Sequence, residues 1–437
     1  MSDIYQAMDD RALDAEIARL EAEVAAFRAQ GLSLDMARGK PSPAQTAISR
    51  PMLSVLDESS DLTDGGVDCS NYGCLEGIPS ARRLAGEMLG VPAENTFVLG
   101  SSSLTVMHDV VAHLERKGAL GGEPWGSRSG GTATKVLCPS PGYDRHFAIT
   151  QDMGFENIYV PMTATGPDMD AVEALVASDP SVKAIWCVPK YSNPTGVTYS
   201  DETVRRLAAM PAAAPDFRIL WDNAYCVHDL YDTGDELLNV FDAAREAGNA
   251  DRVVAFASTS KITFPGAGIA FMASSPANLA DFRGSLVPAM ISADKLNQLR
   301  HARYLPDLAA VRAHMREHAR FMRPRFEAVL AKLDEGLSGT GLGTWTRPRG
   351  GYFISFDGRP GTARRTVALL AEMGVKMTGA GATFPCGRDP RDSNIRIAPS
   401  YPSVPELEQG FEAFCLAVRL VAAQLERDGR GGRKEPA

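Results

Sequence analysis

The sequence lacks the features that mark secreted, membrane-bound or nucleic-acid-binding proteins. Its seven cysteines are scattered over 437 residues without a Cys-x-x-Cys pair, which favours a reduced chain with buried thiols. No run of about 20 uncharged apolar residues predicts a membrane span. No block of lysine or arginine forms a basic patch, and the formal net charge is −9. The N-terminus has neither an apolar core nor a basic leader, so we expect no signal peptide and a cytoplasmic protein.

The middle of the chain has the pattern of an α/β fold. Between about residues 95 and 275, short β-rich runs alternate with helical patterns. The strand candidates are residues 135–138, 182–188, 217–221, 252–257 and 269–272. Continuous apolar runs separated by helices predict a mostly parallel sheet covered by helices on both faces, in three layers, α/β/α. The strand ends of such a sheet are where a ligand site forms.

The two ends of the chain have different patterns. A single apolar stripe predicts a helix over about residues 10–30. The stripe consists of Leu13, Ile17, Leu20, Val24 and Phe27. A long helix is expected over roughly 306–337 and a last helix over about 404–426, with β-rich segments between them. We therefore predict an N-terminal helix and arm (1–45), a large sheet domain (46–300), a smaller α+β domain (301–426) and a disordered tail (427–437).

Four short polar motifs follow or lie on predicted strands. Lys261 ends the tetrapeptide Ser-Thr-Ser-Lys, directly after an apolar run. Asp222 begins Asp-Asn-Ala-Tyr, which ends at Tyr225. Asn193 begins Asn-Pro-Thr-Gly, and Arg396 alternates with two isoleucines, so that it leaves its strand on the opposite face.

Each motif alone has an ordinary structural explanation. A lysine after a strand can be solvent-exposed, and a strand arginine can be solvated. Aspartate and tyrosine at a strand exit can be a turn residue and a packed ring, and Asn-Pro-Thr-Gly is a common turn. Short motifs arise often by chance, so none of them decides the function by itself.

Together the motifs resemble the active site of the fold-type I pyridoxal-phosphate (PLP) enzymes, specifically the class I aminotransferases. The separations are 29 residues from Asn193 to Asp222, 39 from Asp222 to Lys261 and 135 from Lys261 to Arg396. The wording Pro-Lys-Tyr-Ser-Asn-Pro-Thr-Gly is similar to an atypical aspartate aminotransferase subgroup. The resemblance covers about residues 30–425 and implies a large PLP-binding α/β domain with a smaller α+β domain.

The resemblance implies a role for each motif residue. Lys261 would form the aldimine with PLP and then act as the base that moves the α-proton. Free lysine titrates near about 10.4, so its pKa must be lowered by a buried, electropositive pocket. Asp222 would keep the pyridine nitrogen protonated, and Tyr225 and Asn193 would donate to the ring oxygen. Arg396 offers a planar fork for the substrate α-carboxylate, where Asn193 would also contribute.

The segment before the helical run at about residue 104 is a candidate phosphate site. Ser101, Ser102 and Ser103 form a turn of small residues there. A helix N-terminus exposes N–H groups to an anion, although simple capping by serine produces the same pattern. Ser258 and Ser260 would add hydroxyl donors. The resembled family usually has an arginine about eight residues after the lysine, but residues 262–269 contain none, so these serines and partner residues would carry more of the phosphate.

The same resemblance implies further contacts with cofactor, substrate and a second subunit. Tyr143 would stack on the pyridine ring. Gly39, in Arg-Gly-Lys-Pro, looks like the family's loop at the substrate carboxylate. Tyr72, in Asn-Tyr-Gly-Cys-Leu-Glu-Gly, would reach the phosphate of the partner subunit, and the N-terminal arm often contacts that partner. The resemblance therefore implies a homodimer with shared active sites.

An aspartate substrate needs a second cation for its distal carboxylate. Lys295 lies near where the family's partner-subunit arginine would fall, although a solvated helix lysine is the ordinary explanation for such a residue. Arg38, Lys40 and Lys190 compete for this role.

One further pattern suggests zinc. The segment from His314 to His318 matches His-x-x-Glu-His, with both histidines on one helix face. No third ligand is evident, and the segment has the composition of a charged, exposed helix. We expect no metal.

We conclude from the sequence that the chain is a PLP-dependent aminotransferase acting on L-aspartate and 2-oxoglutarate by a ping-pong mechanism. A transaminase or β-eliminating enzyme for another amino acid is the nearest alternative. From a different class, the fold also serves as the effector-sensing domain of transcription regulators. Those proteins usually carry an N-terminal helix-turn-helix module, whereas only about 35 residues precede the first motif and no basic patch is present.

Overall fold

The structure is a computed structural model that describes residues 3–127 and 133–431. The strands are β1 (Leu34–Asp35), β2 (Thr63–Asp64), β3 (Val67–Asp68), β4 (Thr96–Leu99), β5 (Lys135–Ser140), β6 (Glu156–Thr163), β7 (Gly166–Pro167), β8 (Val182–Cys187), β9 (Arg218–Asp222), β10 (Val253–Ser258), β11 (Ala270–Ser274), β12 (Gly343–Trp345), β13 (Ile354–Gly358), β14 (Val375–Lys376) and β15 (Asn394–Ile397). The helices are α1 (Asp10–Ala29), α2 (Pro43–Ala47), α3 (Pro79–Leu89), α4 (Ser103–Lys117), α5 (Asp144–Asp152), α6 (Met169–Ser178), α7 (Asp201–Ala209), α8 (Val240–Glu246), α9 (Pro276–Leu286), α10 (Lys295–Tyr304), α11 (Leu308–Leu337), α12 (Ala363–Glu372) and α13 (Val404–Gly431).

An eight-stranded sheet forms the centre of the molecule, in the order β4-β11-β10-β9-β8-β5-β6-β7. The five strands β10, β9, β8, β5 and β6 are parallel to their neighbours in this run. The strand β11 is antiparallel to both β10 and β4, and β7 is antiparallel to β6. The prediction of a mostly parallel α/β sheet is confirmed.

The two faces of this sheet are covered by different helices, because successive side chains of a strand point to opposite faces. Ile185, on β8, belongs to a core that includes residues of α3, α6, α7 and α8. Its neighbour Ala184 belongs to a second core, with residues of α4, α5 and α9. The sheet is therefore the middle of three layers, as predicted.

A third core joins the two ends of the chain. Leu13, Leu20 and Val24 of α1 are buried in it, with Ile17 and Phe27 packed against it, which accounts for the predicted stripe. The same core contains residues of α11, α13, β13 and β15, while β1 pairs in parallel with β14. The division of the chain into four parts stays a prediction.

The structure differs from the sequence prediction in strands and at the last helix. The strands β4 and β6 were not predicted: β4 is apolar and buried but has only four residues, whereas most residues of β6 are not fully buried and leave no clear apolar pattern. The last helix α13 continues to Gly431, so residues 427–431 are helical, not disordered. Arg430 explains this end, since it donates to the backbone oxygens of Tyr5 and Met8 and pairs with Glu426. Residues 432–437 of the predicted tail lie outside the described residues.

The cysteines are all free, and all seven lie in the described part of the chain. Four of them are buried, but Cys386 is exposed, so the expectation of buried thiols is wrong for that residue. No helix among the described residues is long and apolar enough to cross a membrane.

Candidate active site

The motif residues of three neighbouring strands meet at one edge of the sheet. Asp222 ends β9, Lys261 follows β10, and Asn193 follows β8. Because β8, β9 and β10 are parallel, their carboxyl ends lie at the same edge. Lys261 and Asp222 are close enough for their charges to interact, and Arg396 of β15 acts on the same lysine. The fold thus brings together Asp222, Lys261 and Arg396, which are as far as 174 positions apart, from 222 to 396.

Lys261 lies over the ring of Tyr225, with Nζ 5.2 Å from the ring centroid. Burial lowers the pKa of the Lys261 ammonium, and the positive charge of Arg396 lowers it further, while the Asp222 carboxylate acts in the opposite direction. A larger fraction of Lys261 is therefore neutral at physiological pH than for a free lysine. Burial also raises the pKa of the Tyr225 phenol, so that Tyr225 keeps its proton and can donate it in a hydrogen bond.

The Asp222 carboxyl group is held on one side only. Its Oδ2 is 2.9 Å from Nε2 of His146, and both residues are buried. The His146 ring in turn stacks on Trp186, with centroids 4.2 Å apart and planes at 7°. The other oxygen, Oδ1, is buried and has no hydrogen-bond partner among the described residues. One carboxylate oxygen is thus fixed and the other remains able to accept a hydrogen bond.

Sequence reasoning missed His146. It lies on α5, 76 positions before Asp222, and no motif surrounds it. The only available signal was that α5 follows β5, which lies in the same parallel run as β9. A polar residue at the start of a helix that follows a strand of this parallel run is therefore a candidate from the order of the elements alone.

Arg396 is half-buried against an aromatic ring and is not a solvated strand residue. Its guanidinium carbon is 4.9 Å from the centroid of Phe353, and its side chain is 12% exposed. Its contacts are long, with 3.4 Å from Nη2 to Thr378 Oγ1 and 3.7 Å from Nη1 to Asp144. Its Nε is buried without a partner in the described part of the chain. A Cβ on Gly39 would stand 2.3 Å from the Phe353 ring, which explains glycine at that position.

Asn193 and Tyr143 follow the carboxyl ends of β8 and β5. Asn193 is buried at a cis peptide bond to Pro194, and its Oδ1 has no partner among residues 3–127 and 133–431. Burial, followed by the nearby Asp222 charge, raises the pKa of Tyr143 to about 12. The Tyr143 ring meets His146 edge-on at 4.9 Å. Its stacking on a cofactor ring stays a prediction.

The predicted phosphate residues are also close together. Ser260 Oγ donates to the backbone oxygen of Ser101 at 3.2 Å, and Ser258 Oγ donates to Ser260 Oγ at 3.1 Å. Ser103 is the first residue of α4, so its amide lies at the helix N-terminus. Ser102 caps that helix, because its side chain accepts from the second amide of α4. Capping by serine is therefore observed at this turn, and a phosphate site there stays a prediction.

Lys295 and Tyr72 lie together. Lys295 is buried, not solvated, and its Nζ donates to the backbone oxygens of Asp68 at 2.7 Å and Tyr72 at 3.3 Å. The Tyr72 side chain is 80% exposed. The contacts of Lys295 hold the loop that carries Tyr72, and its predicted part in substrate binding stays a prediction.

The competing cations have their own contacts. Arg38 pairs with Asp35 at 2.7 Å, and Lys190 pairs with Asp229 at 2.9 Å. Lys40 Nζ lies 5.0 Å from a tyrosine ring centroid. The charges of Arg38 and Lys190 are therefore already matched within the chain.

The two histidines of the zinc-like pattern are buried in α11, so the expectation of an exposed segment is wrong for them. The apolar stripe of this helix places both on its inner face. Among the described residues, no group of three or more histidine, cysteine, aspartate or glutamate residues could hold a metal ion.

Comparison with known proteins identifies the family. The model of the aspartate amino-transferase family matches residues 8–429. An aspartate aminotransferase of Corynebacterium glutamicum is 44% identical over 399 residues, which cover 91% of each chain.

Solved structures agree with this match. The crystal structure of an aspartate transaminase from C. glutamicum superposes with a TM-score of 0.94 and 42% identity, covering 97% of this chain and all of that one. An α-aminoadipate aminotransferase of Thermus thermophilus, in complex with N-(5′-phosphopyridoxyl)-L-leucine, shares the fold at a TM-score of 0.71 and 22% identity, covering 90% of this chain and 93% of that one. The chain therefore belongs to the aspartate amino-transferase family, among the fold-type I PLP-dependent aminotransferases.

Proposed function

We propose that the chain uses PLP to transfer the amino group of L-aspartate to 2-oxoglutarate, in two alternating half-reactions. The observation that carries the proposal is the group of Lys261, Asp222 and Arg396 at one edge of the sheet. The substrate is supported by the relative of C. glutamicum, which is named an aspartate aminotransferase.

The residues present fit the cofactor. Asp222 Oδ1 is buried and unpartnered within the described chain, so it can accept the N–H of a protonated pyridine. Tyr225 offers a phenol near Asp222, and Asn193 would offer an amide, for a ring oxygen. The serine hydroxyls and the N-terminus of α4 can hold a phosphate, with backbone N–H groups and the helix dipole in place of the missing arginine.

The protein's part in the reaction follows from these contacts. When bound, PLP supplies an electron sink for the negative charge that develops at the substrate Cα. Lys261 Nζ, with its lowered pKa, would take the proton from Cα and return it in the reverse half-reaction. Asp222 would keep the pyridine nitrogen charged, and His146 would hold that carboxylate in position. Tyr225 would donate its phenolic proton as a hydrogen bond and not release it.

Arg396 would bind the substrate α-carboxylate. The guanidinium group of Arg396 packs against the Phe353 ring, and the ring fits there because Gly39 has no Cβ that would collide with it. The long contacts of Arg396 within the chain leave its N–H groups able to form a bidentate pair with an incoming carboxylate. For the distal carboxylate we keep Lys295, acting from the partner subunit, as the proposed cation.

We also propose a homodimer in which Tyr72 reaches the partner's phosphate. Tyr72 supports this proposal, because it is 80% exposed in the single chain. Its ring is therefore available for contact with a second subunit. Leu53, Val287 and Ile291 are also more than half exposed, at 57%, 56% and 61%. A cytoplasmic location is supported by seven free cysteines.

The test is the absorbance of the purified protein with PLP, before and after L-aspartate. An absorbance band of the protein-bound cofactor that L-aspartate removes and 2-oxoglutarate restores would support the proposal. A band that responds only to another amino acid would refute the aspartate assignment, and irreversible loss with release of a β-substituent would indicate elimination. A band that no amino acid changes would favour an effector-sensing role.

Lys261→Ala tests the residue assignment, with the surface variant Lys332→Ala as control. Turnover should be lost in the first variant and kept in the second. Near-normal turnover of Lys261→Ala would refute the assignment.

A further inference from the structure

A set of buried polar side chains lies behind the turn that carries Lys261, and the proposed function gives it no role. His314 and His318 are one helical turn apart on α11, at 9% and 2% exposure. These are the two histidines of the His-x-x-Glu-His pattern. Gln45, at 1% exposure, reaches the second of them from the other side. Buried polar groups of this kind are costly unless they are hydrogen-bonded, so their partners indicate what they do.

His314 bonds to the backbone carbonyl of Ile262, the residue after Lys261, and His318 lies beside the same group. His314 Nε2 is 2.8 Å from that oxygen, and Ser49 Oγ donates to it at 3.3 Å. Because a carbonyl oxygen only accepts, His314 must carry its proton on Nε2. His318 Nε2 lies 3.1 Å from His314 Nε2, which places it beside the same oxygen.

Gln45 contacts the other nitrogen of the His318 ring. Its Nε2 is 3.1 Å from His318 Nδ1 and 2.7 Å from Tyr352 Oη. An amide NH₂ group has two hydrogens to donate, so in this arrangement Nδ1 accepts and the His318 proton sits on Nε2. Both neutral rings thus carry their proton on Nε2, and the Ile262 oxygen receives His314 Nε2–H on one lone pair and Ser49 Oγ–H on the other, with His318 Nε2 next to them.

The charge state of the two rings is consistent with this arrangement. Burial lowers the pKa of His318 to about 3, and burial also lowers the pKa of His314 below its usual value. A proton on His318 Nδ1 would face the donating amide of Gln45, which disfavours the charged ring further. Both histidines therefore remain neutral donors at physiological pH.

A neighbouring helix holds the next part of the same turn. His301 Nε2 of α10 is 2.9 Å from Thr263 Oγ1. Asn297 Nδ2 donates to the backbone oxygens of Ala267 at 3.1 Å and Gly268 at 3.0 Å. The backbone after Lys261 is thus held by α10 and α11 together, while Lys261 itself extends toward Tyr225.

We propose that His314 and His318, supported by Gln45, are positioning residues that fix the Ile262 peptide and so the place of the Lys261 amino group. That the position of the Lys261 amino group matters for turnover rests on the proposed function. That hydrogen bonds from α11 fix the Ile262 peptide does not depend on it. A displacement of about 1 Å at a reacting group can cost about 100-fold in rate. Loss of a donor to a buried carbonyl would free the turn for such a displacement.

The first experiment measures hydrogen exchange of residues 259–268 in the apoenzyme by mass spectrometry. His314→Leu removes the donor, and His314→Gln restores an amide N–H near the same place. His113→Leu is the matched control, because His113 is equally buried but bonds to Ser285 and Asp281. We expect exchange about tenfold faster in His314→Leu and close to wild type in the other two, since local opening sets the exchange rate.

The second experiment uses the holoenzyme. His314→Leu should lower kcat for L-aspartate about 10- to 100-fold, while KM changes less than about threefold, because substrate contacts are kept. His314→Gln should recover most of kcat. A merely destabilising substitution would lower the amount of folded enzyme and leave kcat per bound PLP unchanged.

Several outcomes would overturn the proposal. They are unchanged exchange and kcat in His314→Leu, an equal effect in His113→Leu, and no recovery in His314→Gln. If His314→Leu does not fold, Gln45→Met replaces it, with a smaller increase in exchange of the same segment expected and no increase refuting the idea. An active Lys261→Ala enzyme would refute the proposed function alone, since the exchange result on the apoenzyme stands separately.

Discussion

Replacement of His146 by phenylalanine isolates the hydrogen bond that holds Asp222. Phenylalanine keeps an aromatic ring of similar size, so stacking on Trp186 at 4.2 Å should be largely preserved. What is lost is the 2.9 Å bond from Nε2 to Asp222 Oδ2. Since Oδ1 already has no partner in the described structure, the buried carboxyl group would be left without any. The variant therefore tests whether His146 supports the carboxylate or only fills space.

The expected cost follows from the type of bond. A hydrogen bond to a charged group contributes about 1.5–3 kcal/mol. Near-isosteric replacement in a core costs less than about 1.5 kcal/mol beyond that. We expect the apoenzyme to lose about 2–4 kcal/mol of unfolding free energy, which at about 1.4 kcal/mol per tenfold is a factor of about 30 to 700 in the folding equilibrium.

Urea unfolding of the apoenzyme measures this loss, and His146→Gln is the control, because its amide can donate to Asp222 without a ring. In the holoenzyme, His146→Phe should also bind PLP more weakly, while His146→Gln should lie between it and wild type. A loss below about 0.5 kcal/mol with unchanged PLP affinity would show that the bond to His146 contributes nothing measurable. That result would refute its role in holding Asp222.

Three further results are expected. Burial lowers the pKa of Lys261, so between the pKa of the folded state and about 10.4 the unfolded chain binds more protons, and the stability of the apoenzyme rises with pH. We therefore expect apo Lys261→Met to be more stable than wild type at neutral pH, by a margin that shrinks toward about pH 10. A margin that does not change with pH would contradict a buried ammonium. Arg396→Lys keeps the charge but loses the planar fork on Phe353, so KM for L-aspartate should rise about 3- to 30-fold, whereas an unchanged KM would exclude carboxylate binding there. Gly39→Ala places a Cβ 2.3 Å from the Phe353 ring and should cost about 1–3 kcal/mol in unfolding experiments; no cost would mean that the loop moves freely.

The central strands were predictable because they are buried on both faces. Their apolar runs leave a signal that does not depend on distant contacts, and the observed β8 and β10 start within one residue of the predicted ranges. The strand β6 left no such signal, since its residues are mostly half-exposed. The tail prediction failed at Arg430 for a related reason: composition indicates disorder, but contacts with the N-terminal segment extend the helix.

The candidate site also contains residues with a local sequence signal and residues that only distant contacts reveal. Lys261, Asp222, Asn193 and Arg396 were predicted because their order and spacing resemble those of the class I aminotransferases. His146 was not, since its importance comes from one contact across the sheet.

By itself, the sequence determined the family and the sheet, because these depend on short motifs and on apolar periodicity, and the residues that would contact the cofactor stay predictions. Only the tertiary structure decided that Asp222 rests on His146, that Lys295 is bound to backbone oxygens, and that the histidines of α11 are buried against the turn after Lys261. Burial and hydrogen-bond partners depend on segments far apart in the chain. No local pattern records them, and they decide the protonation and position of these side chains.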